Sequence, residues 1–67
     1  MWSEELQKQT KEHLEKLPAA SMKHFGDSRY GLCLFKNEKF VISEFETNEK
    51  HEFESIDELI EDGWAID

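Results

Sequence analysis

From Tyr30 to Glu54 the chain alternates with a period of two, and no other feature restricts its fold as much. Read in order, YGLCLF, KNEK, FVISEFET, NEK and HEFE give three short runs separated by turn-forming residues, the pattern of an antiparallel meander. A two-residue turn at Asn37 and Glu38 sets Lys36 opposite Lys39, Leu34 opposite Val41, Leu32 opposite Ser43 and Tyr30 opposite Phe45. For the second turn the apolar pattern favours three residues, Asn48, Glu49 and Lys50, because Phe45 then faces Phe53, whereas a two-residue turn sets it against Glu52. The same register sets Glu46 against Glu52 and Glu44 against Glu54. One face of the expected sheet then carries Tyr30, Leu32, Leu34, Val41, Phe45 and Phe53, and is read as the core surface that two helices cover. The other face is divided, with Cys33, Phe35, Phe40 and Ile42 on one half and the four glutamates in facing pairs on the other.

The flanking segments read as helices. WSEELQKQTKEHLEKLP offers Ser3 as a cap, acids in the first turn, and Leu6, Thr10, His13, Leu14 and Leu17 on one helical face. Pro18 biases Leu17 away from helical geometry and ends the helix there. AASMKHFG is open to two readings: further helical turns with Pro18 at the first position and Gly26 as the stop, or a short strand over Ser21 to Phe25. Near the end of the sequence, Ser55-Ile-Asp-Glu58 matches a capping box, Ile56, Leu59 and Ile60 form an apolar stripe, and Gly63 stands where a left-handed cap is expected. Trp64 is placed to fold back on Leu59, and Ile66 to hold the tail against the body. The expected class is therefore α+β: an N-terminal helix, a three-stranded antiparallel meander and a capped C-terminal helix in the order α-β-β-β-α, forming one domain over residues 1–67.

At 67 residues there is room for a single small core. One cysteine excludes an intramolecular disulfide and the usual zinc spacings, and it points to a reducing, cytoplasmic setting. The sequence shows neither the pattern of a signal peptide nor an apolar run near the roughly 20 residues of a membrane helix. The net charge is −8, unevenly spread: residues 1–37 hold five acids and six bases, whereas residues 38–67 hold eleven acids against Lys39 and Lys50. Direct binding to nucleic acid or an anionic membrane is disfavoured by that balance, and basic protein surfaces are the attractive partners.

Catalysis has little to build on. His13, His24, His51 and Cys33 are the residues from which a nucleophile and base would come, yet Cys33 falls mid-strand, where a free thiol behaves as a small hydrophobe. No H-x-x-x-H pair supports a metal, and the three isolated glycines make no phosphate cradle. We expect no enzyme activity, no cofactor and no metal.

The facing glutamates are the sharper feature, since like charges opposed in a ladder destabilise it by up to about 1 kcal/mol per pair. They read either as a solvated face that preserves solubility or as a docking surface for a basic partner, with Glu44, Glu46, Glu52 and Glu54 supplying the field and Phe35 and Phe40 the apolar anchors. Alternatively, the second sheet face is covered by the first helix or closes a homodimer, and the acids only confer solubility. The stretch NEKFVISEFETNE, followed by an acidic amphipathic helix ending in Gly63-Trp64, resembles small acidic phage-encoded anti-CRISPR proteins that occupy the DNA-binding cleft of an RNA-guided nuclease. The resemblance covers residues 37–64. It implies a DNA-mimicking inhibitor with Glu44, Glu46 and Glu49 in contact with its target. The sequence thus leads to a non-catalytic acidic binding module directed at a basic site of a nucleic-acid-binding protein.

Overall fold

A computed structural model describes residues 2–67. Seven elements follow one another: α1 (Glu4–Lys16), β1 (Ala19–His24), β2 (Tyr30–Lys36), β3 (Lys39–Glu44), β4 (Lys50–Phe53), α2 (Ile56–Glu61) and β5 (Trp64–Ile66). The α+β class and the two helices are as expected, but the sheet has five antiparallel strands in the order β4-β3-β2-β1-β5. Because β4 and β5 are opposite edges, α2, which joins them, must cross the face on which α1 also lies.

Local chemistry sets the helix ends. The Ser3 hydroxyl accepts from the Leu6 amide at 3.2 Å, and the chain turns extended at Leu17, just before Pro18. Both halves of the Ser55–Glu58 capping box are made. Gly63 follows α2 at φ +110, where a Cβ would meet His24 Nε2 at 2.9 Å, so only glycine turns the chain back into β5 at this point.

The added strands come from segments with weak β signals. Ala19–His24 is a strand rather than further helical turns because it is paired on both sides, to β2 through Ala20↔Cys33 and Met22↔Gly31, and to β5 through Met22↔Ile66 and His24↔Trp64. Thr10 fastens β5 from beneath: its hydroxyl donates to the Leu6 carbonyl at 2.8 Å and accepts from the Ile66 amide at 3.1 Å, which satisfies a fully buried polar group.

The first hairpin has the expected register, Lys36↔Lys39 through Leu32↔Ser43. Asn37 and Glu38 both take positive φ, 52° and 65°, the two-residue turn whose twist matches its strands. The second hairpin departs from expectation. Its ladder runs Phe40↔Phe53, Val41↔Glu52, Ile42↔His51 and Ser43↔Lys50, closed by the Glu44 amide donating to the Glu49 carbonyl at 2.8 Å. Four residues, Phe45 to Asn48, make the turn, with Asn48 left-handed at φ 61°. The three-residue turn and the facing pairs Glu44/Glu54 and Glu46/Glu52 do not occur. The relocated turn undoes those pairs, sets His51 beside Ile42 and brings its ring within reach of Glu44.

The faces are also reversed. The helices cover the side bearing Ala20, Met22, Gly31, Cys33, Ile42 and Phe53, which with Leu14, Leu59, Ile60 and Trp64 makes the core. Tyr30, Leu32, Leu34 and Val41, read from the sequence as the core surface, lie on the uncovered side, where Tyr30 is 49% and Leu34 42% exposed. Gly31 belongs to the covered side by necessity: a Cβ there would stand 2.6 Å from the Ser43 carbonyl oxygen and 3.0 Å from Ile42 Cγ2.

Candidate functional site

The five glutamates and two phenylalanines singled out in the sequence do not form one surface. Glu44, at the end of β3, is only 5% exposed and turns inward. Its Oε2 accepts from His51 Nε2 at 2.6 Å and from Arg29 Nη1 at 3.1 Å. The carboxyl of Glu44 is held below its usual range chiefly by the His51 hydrogen bond, which with Arg29 outweighs the opposing effect of burial. Arg29 in turn donates through Nε to both oxygens of Asp27, at 3.1 and 3.0 Å. Its Nη2 lies 3.2 Å from each ring nitrogen of His24, so the guanidinium rests over the imidazole plane rather than bonding one nitrogen. His24 is itself fixed, donating through Nε2 to the Asp62 carbonyl at 2.7 Å, and its ring stands edge-on to Trp64 at 4.9 Å. This chain of contacts links the two turns at one end of the sheet to the end of α2. None of it was legible as a site, although a lone arginine among many acids was a signal that one carboxylate would be paired.

Glu44, Glu49 and His51 present ligand atoms within 4.8 Å of one another. A cation there would share Glu44 with the Arg29 guanidinium, at a site where that guanidinium already supplies the positive charge. We therefore read the group as an ion-pair network. Cys33 is buried and its thiol is pushed up to about 11 by that burial, which removes thiolate at neutral pH.

Glu46 and Glu49 are exposed in the turn, Glu52 is exposed on edge strand β4, and Glu54 precedes α2. Asp57, Glu58, Glu61 and Asp62 of α2 and its cap continue this acidic flank from the β4 edge across the covered face toward β5. Positive charge answers it at two points, Lys39 to Glu52 at 3.7 Å and Lys11 to Asp57 at 2.9 Å, while His24 lies 3.9 Å from Asp62. Phe35 and Phe40 stack at a centroid distance of 4.9 Å at the open end of the covered face. Phe35 is 53% exposed and shares an apolar notch with Leu14, Leu17 and Pro18, whereas Phe40 packs against the core. Because the helices occupy this second sheet face, it is not available to close a dimer.

Sequence reasoning missed the other surface. The uncovered face carries Tyr30, Leu32, Leu34 and Val41 at its centre, and by register Lys23, Lys36, Lys39 and Lys50 project from the same side. Half of the chain's eight bases are therefore on this one face. No helix among the described residues is long and apolar enough to cross a membrane. The chain matches no protein-family model, no curated protein and no solved structure.

Proposed function

We propose that the chain is a non-catalytic cytoplasmic binding module whose acidic flank, from the β3–β4 turn through β4 and α2, docks on a basic protein surface of the kind that holds nucleic acid. The observation that carries this reading is where the acids stand. Glu61 and Asp62 lie at the C-terminal end of α2, and the last turn holds no base. Helix stability favours cations at that end, so these charges are placed against local stability. The spacing is also consistent: Asp57 and Glu61, and Glu58 and Asp62, are pairs four apart that repeat like charge along the helix. Such a field raises the rate of association with a positive site and makes it salt-dependent.

Residues 37–64, which resemble the anti-CRISPR proteins, include this flank, and occupation of a nuclease's DNA cleft is one form of the reading. Its contacts then come from Glu46, Glu49, Glu54 and α2 rather than from Glu44, which is paired internally. The test is capture from a cell lysate on the immobilised protein. We expect nucleic-acid-binding proteins to be retained at low salt and released by high salt or by added duplex DNA, and the Glu54→Lys/Glu61→Lys variant to bind them at least about tenfold more weakly. Retention insensitive to salt, to competitor DNA and to the double reversal would remove the flank from the function.

A further inference from the structure

The bare sheet face is not uniform along its strands. Near the β2–β3 turn, Leu34 and Val41 floor a hollow of about 330 Å³ rimmed by Lys36, Lys39, Lys50 and Glu52, a local charge of +2. At the opposite end Tyr30 and Phe45 wall a second hollow of about 390 Å³, where Glu44 and Arg29 are paired with each other and Glu46 and Asp67 leave a local charge of −2, with Lys23 beside Tyr30 across the ladder. Phe45 stands out from this end, 58% exposed. One face thus holds a basic, aliphatic recess and an acidic, aromatic projection, separated along the strand direction.

We propose that this face closes a twofold dimer of the chain, each copy seating its Tyr30/Phe45 end over the lysine-rimmed recess of the other. A twofold axis lying between the two sheets and perpendicular to their strands brings opposite ends together, so both contacts pair +2 with −2. An axis parallel to the strands superposes like ends and is disfavoured. The outline of the whole chain, 28 × 27 Å, sets an upper limit of about 750 Å² on such a contact, so it must use most of this side to approach the ~800 Å² per partner of a standard interface. The occupant is a second copy rather than single-stranded nucleic acid, because the centre is aliphatic, with Tyr30 the one ring that β2 presents on this side, and the chain as a whole carries −8. Helices then lie outermost, and Glu54 and the acids of α2 stay free, while Glu46 and Glu52 of each flank are taken into the contact.

Sedimentation velocity between about 1 and 100 μM decides it. Wild-type protein is expected to pass from monomer to dimer across this range. Leu34→Asp, at an exposed position that the monomer fold does not need, is expected to stay monomeric with an unchanged circular dichroism spectrum. Lys36→Glu and Glu46→Lys are each expected to weaken the dimer at least about tenfold, and the double variant to recover it to within about threefold, because under the twofold the two reversals face each other. A wild-type monomer throughout, a dimer that survives Leu34→Asp, or a double variant as weak as the singles overturns the proposal. So does a monomer whose Tyr30, Leu32 and Leu34 resonances shift on titration with oligothymidylate, an outcome that assigns the face to nucleic acid.

Discussion

The two faces of the sheet carry comparable apolar side chains, yet one is the core and the other is bare. The covered side presents Ala20, Met22, Gly31, Cys33, Ile42 and Phe53; the bare side presents Tyr30, Leu32, Leu34 and Val41. Apolarity does not separate them, but charge does. By register, Lys23, Lys36, Lys39 and Lys50 all project from the bare side, and none from the covered side. Covering the bare face would desolvate four ammonium groups with Glu52 as the one carboxylate set among them in the ladder, whereas the covered face holds Glu44, whose hydrogen bonds are made. A face is thus assigned to the core by the cost of what else it would bury.

The strongest way to break this comparison is to remove the largest fully buried side chain. Trp64 is rooted in the short edge strand β5, and its ring is closed in by His24 at 4.9 Å and His51 at 5.9 Å. Trp64→Ala is expected to cost about 3–5 kcal/mol, most of the stability of so small a domain, and to lower Tm by roughly 15 °C or more. Urea and thermal unfolding followed by circular dichroism measure it. A loss under about 1 kcal/mol would mean that β5 is not part of the cooperative core.

These particulars also say what the sequence disclosed. The helix ends, the first turn and the register of the first hairpin were legible, because Ser3, Pro18, the Ser55–Glu58 box and the Asn37-Glu38 pair act through local backbone geometry. The faces were not, since YGLCLF is apolar on both sides and period two fixes alternation without saying which set is inside. A signal was nonetheless present: Lys36 and Lys39 share a face with Leu34 and Val41, and the desolvation cost of an ammonium group outweighs a modest gain in apolar area. The sequence left β1 open between helical turns and a strand over Ser21 to Phe25 and gave no sign of β5, because AASMKH and WAI have little β character of their own and are held by partners distant in the chain. The acidic ladder was misplaced because the chain turns at Phe45–Asn48 rather than at Asn48–Lys50, a register shift of five positions that brings His51 to Glu44.

Glu44 gives the comparison an electrostatic form. Its folded-state pKa lies below the ordinary carboxylate value, so its contribution is present above about pH 4.3 and is lost as the pH falls through that value toward the lower folded one. Asp27, lowered mainly by its hydrogen bond from Arg29, adds to the same acid limb. Glu44→Gln removes the charge at every pH. The variant is therefore expected to be clearly less stable than wild type at pH 7, by less than Trp64→Ala, and the gap to narrow as the pH is lowered to about 3. Urea titrations at the two pH values check this, and a gap that persists or widens in acid would show that Glu44 acts by shape or neutral hydrogen bonding instead.

The smallest effect is expected on the bare face, and it is the sharpest discriminator between the two sides. Leu34 and Ile42 are both aliphatic residues of the central strands, on opposite faces, and a pattern-based reading treats them alike. In a single chain Leu34 keeps 42% of its surface in water while Ile42 keeps none. Truncation removes transfer free energy only in proportion to area withdrawn from solvent, and it leaves a cavity only where neighbours close around the lost atoms. Ile42→Ala meets both conditions, whereas Leu34→Ala meets the first in part and the second not at all. At concentrations low enough to keep the chain monomeric, Leu34→Ala should therefore change stability by no more than about 0.5 kcal/mol. Repeated at high concentration, the same measurement should show a larger loss that grows with protein concentration, because the residue is then buried by the second copy and folding is linked to association. A loss of several kcal/mol that does not depend on concentration would place Leu34 in the monomer's own core, and the charge-based assignment of the two faces would fail with it.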